Sequence, residues 1–111
     1  AGCCISMRLK DYGRLGQLML EDGAGLLAPG WVAASTRIHK PFPQAGRGYG
    51  YFWWIEPNGM RASGIFGQQI WIDPKRQLVV VNLSAWPRAL DPKLSAERTA
   101  MVERIVAAAA K

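Results

Sequence analysis

The residues that could do chemistry in this chain are few, and none forms a complete set. His39 is the single histidine, and it sits in the proline-flanked basic stretch Arg37–Gly48. No cysteine–histidine pair, His-x-x-x-His spacing or facing pair of carboxylates accompanies it. No serine stands three residues before a lysine, the spacing that couples a serine nucleophile to a lysine base. No glycine-rich turn joins a strand to a helix in the way that cradles phosphate. Cys3 and Cys4 are adjacent, a spacing that disfavours a mutual disulfide, and two ligands do not make a zinc site. They read as two small buried thiols and favour a reducing, cytoplasmic setting. No cofactor or metal is expected. By inventory, the chain alone is not a self-contained enzyme.

One segment resists a purely structural reading. Ala62-Ser63-Gly64-Ile65-Phe66-Gly67-Gln68 places two glycines three apart in an otherwise strand-like run. Glycine weakens a strand, and it belongs where backbone must approach a ligand or another backbone closely. A twisted or bulged strand is the alternative.

The elements that would carry this segment follow from periodicity. Ser6 is the expected N-cap of a helix over Met7 to Asp22, with Gly23 at its C′ position. Gly13 and Gly16 each cost ~1 kcal/mol against alanine inside a helix, which predicts close packing on their face. Pro29 to Thr36 reads as a short second helix with Trp31 and Val32 buried, and Arg37 to Gly48 as a surface loop. Tyr49 to Ile55 is an aromatic strand, Pro57-Asn58-Gly59 a hairpin turn, and Arg61 to Ile72 a second strand. Asp73 to Arg76 is a turn, and Leu78 to Leu83 a third strand, apolar enough to lie centrally. Asp91 to Lys93 links to a last helix, Ser95 to Ala110, with Met101, Val102, Ile105, Val106 and Ala109 on one apolar face. The expected class is α+β: an antiparallel meander with flanking helices.

The 111 residues suit one modest domain, and composition is ordinary for a globular protein, 50% apolar and 20% charged. No apolar run approaches the ~20 residues of a membrane helix. The net charge of +6 invites nucleic-acid binding, but the cations are scattered and form no stripe, so none is expected.

Gly64 to Pro74, continuing into Leu78 to Pro87, resembles the end of the serine β-lactamase-like hydrolases, best of all 6-aminohexanoate-dimer hydrolases and related esterases. Ile5 to Gly23 resembles the helix such enzymes carry before their third motif, and Gly50 to Trp54 their aromatic strand. The resemblance runs from Gly2 to about Pro87. It implies that residues 1–111 are the C-terminal segment of a single domain of β-lactamase/transpeptidase-like fold. The Ser-x-x-Lys and tyrosine of the site would then belong to a missing N-terminal portion, the chain's first partner. The third motif falls on Ala62-Ser63-Gly64, where lactamases have Lys-Thr-Gly. The lost cation argues against β-lactams and for a small amide or ester substrate, cleaved through an acyl-enzyme.

By the same resemblance, the Ile65 backbone N–H is an oxyanion-hole donor, with Gly64 and Phe66 beside the substrate. Trp54 matches a tryptophan lining the pocket, a core aromatic being the alternative for it. The rival readings are a non-catalytic binding module of this fold and an autonomous interaction domain. With part of the fold missing, exposed apolar surface is expected to drive homo-oligomers.

Overall fold

The computed structural model describes residues 5–109. Cys3, Cys4 and Ala110 lie outside the described residues, and with them the expectation of two buried thiols. Nine elements follow in order: helices α1 (Leu9–Leu20) and α2 (Trp31–Ser35), strands β1 (Lys40–Pro41), β2 (Gly48–Tyr49), β3 (Trp54–Glu56), β4 (Gly59–Ser63), β5 (Gln69–Asp73) and β6 (Leu78–Asn82), and helix α3 (Pro92–Ala109). The strands form one antiparallel sheet in sequence order. The class is α+β, a meander with flanking helices, as the hydrophobic pattern predicts.

Strand pairing sorts the side chains by face. Met60 pairs with Ile72, Ile72 with Val79, and Ile70 with Val81. With period two, all five point to one face. Tyr12, Leu15, Met19 and Leu20 of α1 cover that face, joined by Leu27 and Val32, and Ile72 is completely buried there. Truncating a side chain so enclosed costs about 2–5 kcal/mol. The opposite face carries Arg61, Trp71 and Val80 in one row and Ser63, Gln69 and Asn82 in the next. Across part of it runs α3, leaving a groove between helix and sheet.

Several boundaries differ from expectation, each for a local reason. The N-cap of α1 is Arg8, not Ser6, and no side chain caps it. Asp11 instead anchors the first turn, accepting from Arg8 Nε at 2.9 Å and Arg14 at 3.1 Å. At the other end the left-handed residue after the cap is Asp22 (φ 50°), and Gly23 follows it, donating its N–H to the Leu18 carbonyl at 2.8 Å. Gly16 meets the expectation of close packing, since a Cβ there would overlap the Val79 side chain; Gly13 does not, because nothing lies within 4 Å of its Cβ position.

Trp31 is 48% exposed rather than buried, because the five-residue α2 lies at the surface and leaves it tilted against Tyr51, while Val32 reaches the core. The expected loop 37–48 contains β1 and begins β2, a short edge hairpin. The aromatic run is not one strand. It reverses at Tyr51-Phe52, with Phe52 at φ 66° and the Gly50 N–H donating to the Trp53 carbonyl at 2.8 Å. Gly50 permits this bend, as a Cβ there would strike the Ser35 carbonyl.

β6 was expected at the centre and lies at the end of the sheet, where α1 and α3 contact it. Helix α3 starts at Pro92, three residues early: Asp91 Oδ1 accepts the Leu94 N–H at 3.1 Å, and proline suits the first helical position. Its inward stripe is centred on Val102, with Val106 half-buried; Met101, Ile105 and Ala109 point outward. No helix among the described residues is long and apolar enough to cross a membrane.

Candidate functional site

The run expected as a single strand from Arg61 to Ile72 is two strands joined by a five-residue hairpin loop. Ser63 pairs with Gln69, and Gly64 to Gln68 form the loop between them. Its base is closed by the Gly64 N–H donating to the Gln68 carbonyl at 2.8 Å. Within it, the Gly67 N–H donates to the Gly64 carbonyl at 3.3 Å, which makes Gly64 to Gly67 a β-turn. Neither central residue, Ile65 or Phe66, has positive φ, so the turn is of the type I kind; Gly67 follows at φ 94°, where a side chain is strained.

The segment after β6 clamps this loop. Leu90 N–H donates to the Ile65 carbonyl at 2.8 Å, Trp86 N–H to the Phe66 carbonyl at 3.1 Å, and Asn82 Nδ2 to the Gly67 carbonyl at 2.9 Å. The Asn82 amide also reaches Ser84 Oγ at 2.8 Å. The Trp86 indole occupies the space that a Cβ on Gly67 would need, and the Arg98 guanidinium of α3 lies 5.0 Å over the Trp86 ring. Four consecutive carbonyls, 64 to 67, are therefore held.

The Ile65 and Phe66 N–H groups are the two donors of the turn left without a backbone acceptor among the described residues. A trans peptide points its N–H opposite to its C=O. The Gly64 carbonyl is directed inward to Gly67, so the Ile65 N–H is directed out of the turn. It donates to no backbone carbonyl among the described residues. The Ile65 and Phe66 side chains are both exposed, consistent with a loop tip.

Gly64 behaves differently from expectation. The position of its absent Cβ faces the Gln68 side chain rather than open space, so a substituent there collides with Gln68 first. Trp54 is half-exposed on the sheet face that α3 flanks, edge-on to Tyr49 at 5.0 Å, with the Arg61 guanidinium 5.3 Å over its ring. Arg61 NH1 donates to Ser63 Oγ at 2.8 Å, and its Nε pairs with Glu56 at 3.2 Å. Trp54 thus connects to the loop through Arg61 and Ser63. Ala62 provides no cation, yet the residue before it brings one to the Ser63 hydroxyl.

Arg61, Asn82, Trp86 and Leu90 escape a reading by motif. Two signals were present: Arg61 and Ser63, two apart on a strand, share a face, and Asn82 interrupts the apolar run Leu78–Val81.

No protein-family profile matches the chain. It is similar to the 6-aminohexanoate-dimer hydrolase of Paenarthrobacter ureafaciens, 31% identical over an alignment of 101 residues that takes in 75% of this chain and 25% of the relative. The chain spans about a quarter of the length of the curated relative it matches. The clamped loop and its sheet therefore belong to a chain that is distantly related, over three quarters of its own length, to a hydrolase.

Proposed function

We propose that this chain is the C-terminal part of a serine hydrolase of β-lactamase-like fold that cleaves a small amide or ester through an acyl-enzyme, and that the Gly64–Gln68 loop supplies one wall of its oxyanion hole. The observation that carries the reading is the Ile65 N–H, directed outward from a turn whose carbonyls are all engaged, in a chain similar to a hydrolase. A donor fixed before the substrate arrives is what a developing oxyanion needs, because no reorganisation is then required in the transition state.

In this reading the nucleophilic serine lies outside these 111 residues. Its hydroxyl adds to the substrate carbonyl carbon and passes its proton to a neighbouring base. The carbonyl π electrons move to oxygen, which accepts from the Ile65 N–H. Collapse expels the amine or alcohol, which takes up the proton, and water then releases the acyl group. Gly64 and Phe66 flank the donor, and Trp54 forms a more distant wall.

The test is covalent labelling. Incubated with a fluorophosphonate, the whole gene product is expected to be labelled at one serine outside this sequence, while the 111-residue chain alone stays unlabelled and does not hydrolyse p-nitrophenyl esters above background. Labelling of a serine within the 111 residues, or no labelling of the whole product, contradicts the proposal.

A further inference from the structure

The groove between α3 and the sheet, about 470 Å³, is lined by three residues that carry buried polar atoms with no hydrogen-bond partner. Nε and NH1 of Arg98, Nε1 of Trp71 and Oε1 of Gln69 are all shielded from solvent and lack a hydrogen-bond partner. Gln69 is only 7% exposed; its Nε2 reaches Ser63 Oγ at 3.4 Å, so the unsatisfied atom is its carbonyl oxygen. Buried donors and acceptors in native proteins are nearly always paired, and leaving them unmade is costly.

Apart from Glu103, the other charges in the groove are matched. Arg47 and Arg61 share Glu56 at 3.0 and 3.2 Å, and Arg76 holds Asp73 at 2.7 Å. Glu103 also lines the groove, exposed on α3, and no ion pair among the described residues joins it to Arg98. Arg98 is left facing Trp86 and the like charge of Arg61. Burial and that repulsion both weaken its hold on its proton.

We propose that this groove binds a carboxylate, whose oxygens accept from Arg98 and from Trp71 Nε1 while an N–H beside the carboxylate donates to Gln69 Oε1. Of the four arginines lining the groove, Arg98 alone has no carboxylate partner among the described residues, and a single guanidinium suits a carboxylate better than a doubly charged phosphate, its planar fork matching a planar carboxylate. Entry requires Arg98 to swing from its stack on Trp86 toward the groove. The inference uses no part of the oxyanion argument, and the carboxylate can come from a free acid or from an Asp or Glu side chain of polypeptide outside this sequence.

The experiment is a titration with N-acetylglycine, a carboxylate with an adjacent N–H, followed by nitrogen–proton correlation spectra of the 111-residue chain against sodium chloride at matched ionic strength. Saturable shifts are expected at the Trp71 indole N–H and the Arg98 Nε–H, with acetate binding more weakly. Arg98→Gln, its spectrum still dispersed, is expected to bind about tenfold more weakly, and Arg98→Lys to fall between. The same titration of the whole gene product separates the sources. Shifts there indicate a free acid; no shifts, with the Arg98 Nε–H already protected from exchange, indicate a side chain in place. Shifts no larger than those in chloride, unchanged binding by Arg98→Gln, or an unprotected and unresponsive Arg98 in the whole product would each overturn the proposal.

Discussion

Gly67 and Asn82 show how much of the loop's geometry depends on single atoms. Gly67 holds φ at 94° with the Trp86 indole against the face where a Cβ would project. Gly67→Ala is therefore expected to lose about 1–3 kcal/mol from backbone strain and a further amount from displacing Trp86. Asn82→Leu removes the bond to the Gly67 carbonyl while keeping side-chain volume, and is expected to cost about 1–2 kcal/mol. Chemical denaturation of each variant checks both magnitudes. If the loop lines the site, Asn82→Leu also slows acylation by more than its unfolded fraction explains. The pair of glycines was visible in the sequence as an anomaly. The contacts that exploit them were not, because Trp86 and Leu90 donate through backbone N–H groups that leave no signature in residue type, and the Trp86 indole reaches Gly67 only through the fold.

Helix α1 offers a matched pair of glycines for testing packing. Gly13 faces open space, so Gly13→Ala gains helix propensity and is expected to stabilise by about 0.5–1 kcal/mol. Gly16→Ala gains the same propensity but drives a methyl group into Val79, and is expected to destabilise by about 1–2 kcal/mol net. Thermal melts of the two variants should move in opposite directions.

The β5–β6 turn carries a pH dependence. Burial raises the Asp73 carboxyl, but side-chain and backbone hydrogen bonds from Arg76, with that guanidinium's charge, outweigh it and hold the group below the ordinary carboxylate range. The native state then keeps Asp73 ionised at pH values where the unfolded chain already binds a proton. Its stabilisation is complete above the unfolded value near ~4 and is lost as pH falls through the lower folded value. Asp73→Asn should be less stable than the parent at pH 7, with the gap closing as pH falls below ~4; a gap independent of pH contradicts this assignment.

At this scale the sequence was informative about type and poor about breaks. The apolar, β-branched run Leu78–Val81 and the turn signals at Pro57-Asn58-Gly59 and Asp73–Arg76 located the meander. The two reversals inside apolar runs, at Tyr51-Phe52 and at Ile65-Phe66, went unseen. Aromatic and β-branched residues at a hairpin tip mimic strand propensity, and what bends the chain there is tertiary: the Ser35 carbonyl against Gly50 and the Trp86 clamp on Gly67.

Across the whole molecule, apolar side chains remain uncovered. Leu26, Phe52 and Leu90 are at least 72% exposed, Met101 and Ile105 project from the outer side of α3, and β6 has no strand partner beyond it among the described residues. Surface of this kind promotes association. The 111-residue chain is expected to sediment as dimers or larger species at micromolar concentration and to bind a hydrophobic dye; a dye-silent monomer contradicts that.

Whether the Ile65 N–H donates to an oxyanion can be tested cleanly because Ile65 occupies the second position of its turn. Proline is favoured at the second position of a type I turn, and the Ile65 N–H makes no backbone hydrogen bond to lose. Ile65→Pro thus deletes the donor and leaves the loop's other bonds in place. The measurement is single-turnover acylation of the whole gene product, with melting temperature recorded on the same samples. The expected result is an Ile65→Pro variant that melts within a few degrees of the parent and acylates about 10²–10³-fold more slowly, beside an Ile65→Val variant that keeps most of its rate. A folded Ile65→Pro variant that acylates at the parent rate would show that the Ile65 N–H is not an oxyanion donor.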